Sequence, residues 1–402
     1  MKILTFSTLF PNAQKPGHGI FVETRLRHLV ASGQVEARVV APVPWFPSSN
    51  PRFGSYARLA GVADHEVRHG LQVAHPRYLT LPKIGMNVAP LLLAQGAKPA
   101  IARLLDEGFD FDLIDAHYFY PDGVAAAMLA RYFNKPLVIT ARGSDITLLP
   151  QFPLPRRMIT WAARRADAVI TVCNALREEV VALGVDAGKV TSLRNGVDLE
   201  LFHPIERSPN PAFTLLSVGH LVPVKAQELI IGALPLLPGV RLVLAGDGPN
   251  RAMLDALARS LDVAARVTFL GAVPQAQLRE HYGRADALVL ASSREGWANV
   301  LLESMACGTP VVASRVYGTP EVVAAPEAGV LMAERTPQGV ADAVNALRAN
   351  YPDRAATRRY AEKFSWADTT AGQLRIFGTM MAQKDQSGEG SMAAAVSELR
   401  NK

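Results

Sequence analysis

Apolar residues along this chain gather in short unbroken runs rather than alternating with polar ones. In the first half these runs are KILTFST from Lys2, EARVVAP from Glu36, LQVAHPRYL from Leu71, FDLIDAHY from Phe111, PLVITAR from Pro136 and DAVITVC from Asp167. The second half continues with TLLSVG from Thr214, RLVLAGDGP from Arg241, VTFLGAV from Val267 and DALVLASS from Asp286, and a further strand follows a Gly-Thr-Pro break at Gly308. Segments of helical spacing lie between them, such as Phe21, Val22, Leu26 and Leu29 after the first run. Val/Ile/Leu strands separated by helices predict an α/β protein with parallel sheets covered on both faces. Ligands of such sheets bind past the carboxyl ends of the strands, so functional residues are expected just after each run. No repeat of fixed period is present.

One stretch answers that expectation most fully: Ser292 to Ser314, SSREGWANVLLESMACGTPVVAS. It follows a strand and carries Glu295, Gly296, a short loop, an apolar helical run with Glu303, and the Gly-Thr-Pro break. A helix starting near Asn299 puts Glu303 about one turn inside it. The first amides of a helix lack internal partners and the peptide dipoles add positive potential there, which suits an anion. Two acids flanking such donors match a ligand with a diphosphate in the middle and hydroxyls at both ends, as in a nucleotide sugar. The spacing by itself equally suits a surface helix with two solvated glutamates.

Length and composition narrow the classes. At 402 residues the chain is long enough for two domains with buried cores. The two cysteines, Cys173 and Cys307, sit in apolar surroundings, which fits a reducing compartment better than a disulfide framework. Metal-ligand spacing is absent. The opening MKILTFSTLF reads as a first strand, because Thr and Ser interrupt its apolar run and no small-x-small cleavage site follows. Ile84 to Leu105 is apolar, but Pro90 and Lys98 interrupt it too much for a membrane span. The net charge of +6 falls mainly in residues 1–200, where 22 Lys+Arg face 17 Asp+Glu. That bias suits an anionic lipid or acceptor as well as it suits plain solubility. Nucleic acid is disfavoured, since no aromatic-interleaved basic stripe occurs. A nicotinamide dehydrogenase is disfavoured because G-x-G-x-x-G does not follow the first strand.

The motif Glu295-Gly296, Asn299, Glu303 and Ala306-Cys307-Gly308-Thr309-Pro310-Val311-Val312 resembles the signature of retaining glycosyltransferases of family 4. Further matches follow in order along nearly the whole chain to about residue 380. The turn Pro16-Gly17-His18-Gly19 stands where that family has a glycine-rich loop near the donor phosphate. His117 in HYFYPDG resembles a turn whose histidine contacts the donor sugar. ARGSDI from Ala141 resembles "T-x-H-G-S-D", with Arg142 where histidine is common. Ser192 to Asp198 resembles the "N-G-V-D" junction turn. VGHLVPVKA resembles "V-G-R-L-…-K-G", with His220 in place of Arg and Ala226 in place of Gly. Gly246-Asp247-Gly248-Pro249 resembles a turn over the nucleotide, and Gly318-Thr319-Pro320-Glu321 the "G-G-x-P-E" motif.

The resemblance implies a GT-B fold: two doubly wound Rossmann-like domains facing across a cleft. It implies an acceptor domain over 1–205, a nucleotide-sugar domain over 206–363, and a helix over 364–383 returning to the first domain. The polar tail over 384–402 is expected to be disordered or a loose helix. Lys225 would neutralise the diphosphate, Glu295 would hold the sugar hydroxyls, and His117 would sit beside the reacting carbon. Donor contacts are expected from Gly17, Gly19, Gly219, His220, Gly246, Gly248, Gly296, Trp297, Ala298, Asn299, Val300, Leu301 and Glu303, the last on the ribose. Arg142 and Asp145 are placed on the acceptor side. No cofactor or metal is expected beyond the nucleotide-sugar co-substrate, UDP- or GDP-linked. The acceptor would be a glycan or a lipid-linked, growing cell-surface polysaccharide. Paired arginines at Arg156-Arg157 and Arg164-Arg165 around Met158, Ile159 and Trp161 suit either a helix lying on an anionic membrane or a core helix with solvated ends. The implied place is the cytoplasm or the inner face of the plasma membrane. Two other classes remain open: a GT-B-shaped sugar-nucleotide epimerase and a non-catalytic partner that binds sugar nucleotide or lipid.

Overall fold

The computed structural model describes residues 1–50, 52, 54–80, 85–207 and 211–382, so the expected tail from 384 lies outside the described residues. The chain divides into two compact units. The first takes residues 1–171, 177–193 and the described residues from Ala367; the second takes Val172–Leu176 and Arg194–Trp366.

The first unit is built on an eight-stranded sheet. Its strands are β1 (Lys2–Phe6), β2 (Glu36–Val40), β4 (His65–Arg68), β5 (Leu71–Ala74), β7 (Leu113–His117), β8 (Leu137–Ala141), β9 (Ala168–Thr171) and β10 (Val190–Ser192), with β3 (Val43–Pro44) and β6 (Arg77–Tyr78) forming a separate pair. The order across the sheet is β10-β9-β8-β7-β1-β2-β5-β4, and every pairing is parallel except β4 with β5. Ile3, Leu113, Val138 and Ile170 from the strands pack with Val22, Leu26 and Leu29 of the Ile20–Ala31 helix. Phe377 and Met380, from the helix over 366–382, join the same core.

The run LQVAHPRYL, expected as one strand, is two. Pro76 brings no amide to a ladder, so β5 stops at Ala74 and the chain resumes as β6 beside β3. The antiparallel edge strand β4 was not anticipated, because HEVR carries charge rather than an apolar run. Charged edge strands of this kind discourage sheet-to-sheet association. Gly85–Asp106 is one helix despite Pro90 and Pro99 within it. Among the described residues no helix is long and apolar enough to cross a membrane.

The second unit holds a fully parallel six-stranded sheet of β11 (Thr214–Val218), β12 (Arg241–Ala245), β13 (Val267–Gly271), β14 (Ala287–Leu290), β15 (Val311–Ser314) and β16 (Gly329–Met332). Their order is β13-β12-β11-β14-β15-β16. Leu215, Leu242, Leu244, Val289 and Val312 pack against Ile230, Ile231, Val340 and Val344 of the covering helices.

The boundary between the units falls at Leu193/Arg194, not near residue 205. The reason is local bonding in the "N-G-V-D" stretch. Val197 N–H donates to the Phe364 carbonyl at 2.9 Å, and Asn195 Nδ2 donates to Asn299 Oδ1 at 3.2 Å. Arg358 donates to the carbonyls of Leu199 and Phe202 at 3.3 and 2.5 Å. Residues 194–205 are thereby fastened to the second unit.

Ala226, where the sequence pattern suggested glycine, adopts φ 50°, ψ 42° and is buried. A left-handed backbone costs an L-residue about 1–2 kcal/mol, which favours glycine there. Losing a buried methyl and freeing the unfolded chain cost about as much in the other direction. Ala226→Gly is therefore expected to change stability by less than about 1 kcal/mol. Ala226→Val, β-branched in this conformation, should lower it by at least about 2 kcal/mol. Chemical denaturation of both variants beside the parent measures the difference.

Candidate functional site

In the second unit the expected residues leave neighbouring strand ends. β11 and β14 are adjacent, so the loops after them run side by side, and Ser293 N–H donates to the Val224 carbonyl at 2.8 Å. This brings Lys225 and Glu295 together: Lys225 Nζ donates to Glu295 Oε1 at 2.6 Å, with both side chains partly exposed. Sequence reasoning placed them on different parts of one ligand; in the structure they pair with each other.

The glycines after β11 and β12 serve backbone contact. A Cβ on Gly246 would lie 1.9 Å from the Gly219 oxygen, and one on Gly248 2.4 Å from the Leu221 oxygen. Leu221 N–H donates to the Asp247 carbonyl and Asn250 N–H to the Leu221 carbonyl, both at 3.0 Å. The two loops are thus locked main chain to main chain. His220 is exposed and its Nδ1 lies 3.3 Å from the Asp247 carbonyl oxygen.

The helix carrying Glu303 runs Asn299–Ala306, starting where the sequence pattern placed it. Not all of its leading amides are open. Asn299 N–H donates to the Trp297 carbonyl at 3.1 Å and Leu301 N–H to the Ala298 carbonyl at 3.0 Å. The expectation that Leu301 offers its amide to a phosphate therefore needs correction, since a tight turn at Ala298 already engages it. The Trp297 side chain faces inward, which leaves only its backbone for the donor contact expected there. Its ring is buried, tilted against Phe364 at 6.1 Å with the Arg194 guanidinium 5.7 Å above it. Gly296 lies against Gly318, whose added Cβ would sit 2.2 Å from the Gly296 oxygen. Glu303 is buried and accepts from Tyr282 Oη at 2.7 Å and Gln275 Nε2 at 3.1 Å. Burial raises its pKa while these two donors pull it down.

In the first unit Gly19 precedes the Ile20–Ala31 helix at φ 69°, and a Cβ there would meet the Leu9 oxygen at 2.2 Å. Gly17 is exposed, and an added Cβ would meet nothing within 4 Å. His117 ends β7 and is sealed from solvent, at 1% exposure. Its Nδ1 lies 2.7 Å from Arg142 Nη2 and its Nε2 3.3 Å from Asp115 Oδ2. Because a guanidinium can only donate, Nδ1 accepts and the ring proton sits on Nε2, facing the carboxylate. Burial lowers the His117 pKa to about 4, Asp115 opposing and Arg142 assisting, so the ring is neutral at pH 7. Arg142, also buried, is lowered to about 9, chiefly by desolvation and then by Arg25. Asp145 faces its own turn, accepting from the amides of Phe119, Arg142 and Gly143 at 2.8, 3.1 and 2.7 Å. The cluster is tied inward rather than open, and it brings together His117, Arg142 and Asp145, which the sequence reading assigns to different parts of the reaction.

Several partners escaped sequence reasoning. Tyr282 and Gln275 hold Glu303; Asp115, Arg25 and Gln373 surround His117. Asp115 and His117 stand two apart on one strand, hence on one face, and that signal was available. The others come from distant segments without a local pattern. Cys173 and Cys307 are both buried and form no disulfide, and burial pushes both thiols up to about 12.

Asp122, wholly buried, accepts from Thr8 N and Oγ1, each at 3.0 Å, and burial pushes it up to about 8 from 3.8. A raised carboxyl pKa gives stability that is complete below the unfolded value and lost as pH rises through the folded one. Asp122→Asn removes that loss. Its melting temperature, relative to the parent, should climb between about pH 4 and about 8. Differential scanning across that range reads it, and a flat difference would contradict it.

Known proteins resemble this chain along most of its length. The family model Glycosyltransferase Family 4 matches residues 17–201, and that of Glycosyl transferases group 1 matches residues 199–364. A Bacillus subtilis protein named for a teichuronic acid biosynthesis glycosyltransferase, TuaC, is 28% identical over 404 residues, covering 96% of this chain and 95% of that one. The D-inositol 3-phosphate glycosyltransferase of Mycobacterium tuberculosis is 30% identical over 320 residues, 71% of this chain and 66% of that one. Among solved structures, the sucrose-phosphate synthase of Thermosynechococcus elongatus superposes with a TM-score of 0.73 at 20% identity, covering 98% and 99% of the two chains. Anabaena HepE in complex with UDP-glucose gives 0.69 at 22% identity, covering 95% and 100%. With two consecutive family models spanning most of its length, the chain belongs to the family 4, group 1 glycosyltransferases and has their GT-B fold.

Proposed function

We propose that this protein transfers a sugar, with retention of anomeric configuration, from a nucleotide-diphosphate donor to a hydroxyl of a glycan or lipid-linked acceptor. The observation that carries the reading is the Lys225–Glu295 pair beside the helix that buries Glu303. Glu295, then Lys225 with the helix start, and then Glu303 are groups suited to the three parts of such a donor: sugar hydroxyls, diphosphate and ribose. The anomeric carbon–phosphate oxygen bond breaks, the acceptor oxygen forms the new bond on the same face, and its proton passes to the departing diphosphate. Leaving-group charge would fall on Lys225, which exchanges Glu295 for phosphate, and on the helix dipole. Glu295 is then free for sugar hydroxyls, and Glu303 exchanges Gln275 for the ribose. His117 would take the part that the family resemblance gives it, beside the reacting carbon.

The reaction is read as metal-independent, with Lys225 and the helix dipole meeting the charge of the leaving group. HepE was solved with UDP and with UDP-glucose, which supports a uridine nucleotide here. The name of the Bacillus relative supports a polysaccharide acceptor. That the named relatives are transferases favours transfer over epimerisation or mere binding. Two buried thiols outside any disulfide suit a reducing, cytoplasmic setting.

A second feature bears on where the acceptor is met. Phe152 and Leu154 are 42% and 41% exposed at the start of the Pro153–Arg165 helix, beside exposed Arg156 and Arg157. Apolar side chains rimmed by arginines fit an anionic lipid surface.

A melting screen against nucleotide sugars finds the donor, since ligand at about 100 times its Kd adds about 2.7 kcal/mol. With that donor, Lys225→Ala should lower kcat by about 10²–10³, the worth of one preorganised contact on developing charge. Glu303→Ala should weaken donor binding, and turnover should survive a chelator. Full activity in both variants would exclude these roles. The parent should sediment with vesicles containing anionic phospholipid at low salt and release as salt rises, and Phe152→Ser/Leu154→Ser should not sediment; equal behaviour of the two removes the membrane reading.

A further inference from the structure

The helix over 366–382 reaches the His117 cluster through one side chain. Gln373, 1% exposed, donates from Nε2 to Asp115 Oδ2 at 2.9 Å and accepts at Oε1 from Arg25 Nε at 3.0 Å. The oxygen it contacts is the one facing His117 Nε2 at 3.3 Å. Arg25 is itself buried and also donates to the Leu193 carbonyl at 3.3 Å.

We propose that Gln373 is a positioning residue of this glycosyltransferase: its amide stands between Arg25 and Asp115 and keeps the Asp115 carboxylate on His117 Nε2, fixing the ring's tautomer and orientation. It rests on the reading that His117 serves the reacting end of the donor. The physical case is competition for one carboxylate. Two buried guanidiniums, Arg25 and Arg142, lie in the cluster, and either attracts Asp115 more strongly than a neutral imidazole does. A direct Arg25–Asp115 ion pair would turn the carboxylate from the ring. The carboxamide prevents this by giving Arg25 Nε an acceptor and Asp115 Oδ2 a donor without adding charge. Methionine matches its size but meets neither need. Glutamate would satisfy Arg25 and set a second carboxylate against Asp115. Groups facing the ring from the packed elements are Asp115 on its own strand, Arg142 after β8, and Arg25 on the Ile20–Ala31 helix.

The test needs no substrate at first. Two-bond ¹H–¹⁵N spectra of histidine-labelled protein, with the His117 signals assigned from a His117→Gln variant, report tautomer and titration. The parent should show His117 protonated on Nε2 alone. Gln373→Met should show mixed tautomers or a ring that begins to titrate at higher pH, while far-ultraviolet dichroism and nucleotide binding by the second unit stay unchanged. Gln373→Glu should disturb the ring in the same sense, confirming that the lost amide donor, not lost volume, is responsible. A His117 spectrum unaltered in both folded variants overturns the proposal. With the donor from the melting screen, Gln373→Met should lower kcat roughly tenfold with KM for donor within about twofold, as expected for a misdirected reacting group. If His117→Gln turns over normally while Gln373→Met still shifts the ring, the role of His117 fails and the positioning contact stands. If His117→Gln is inactive and Gln373→Met is indistinguishable from the parent in both spectrum and rate, the positioning contact fails alone.

Discussion

Parallel strands buried on both faces leave little room for polar side chains along their length, and their ladders consume the backbone donors and acceptors. Chemistry is therefore driven to the ends of strands, and which residues can meet is decided by strand order. In the second unit β11 and β14 are neighbours, so Lys225 meets Glu295 across 70 residues of sequence. In the first unit β7 and β8 are neighbours, so His117 meets Arg142 across 25. The sheet does the assembling; the loops only supply the groups.

The two clusters differ in how tightly water is excluded. Lys225 and Glu295 keep part of their hydration, and a partly exposed ion pair is held by little more than its neighbours' convenience. Such a pair can trade partners when a ligand arrives. The His117 cluster is dry, and each of its charges leans on another. A dry network of this kind cannot be altered at one point without leaving a charge or a donor stranded. One cluster is suited to exchange, the other to holding a fixed geometry.

Much of this was legible in the residues, and the rest was hidden for definite reasons. The strand runs and the helix starting at Asn299 were visible because Val/Ile/Leu continuity, Gly296 and Gly308 mark element ends locally. The break at Pro76 was equally marked, yet continuity of the apolar run outweighed it. The edge strand His65–Arg68 was invisible because nothing apolar identifies a charged edge. At the site, the way the motif residues pack and bond was not legible. That Trp297 turns inward, that Leu301 gives its amide to Ala298, and that Tyr282 seizes Glu303 are facts of three-dimensional competition. No spacing rule encodes them. Gln373 is the extreme case, a glutamine 258 residues from the aspartate it contacts.

The two cysteines have a practical bearing. Thiolate is the species that alkylating and disulfide reagents attack, and thiols raised to about 12 and shut inside the protein supply almost none. The natural chain is thus nearly blank toward maleimides. A single cysteine introduced on any open surface could carry a fluorophore or spin label at one defined place, without first stripping the molecule of its own sulfur.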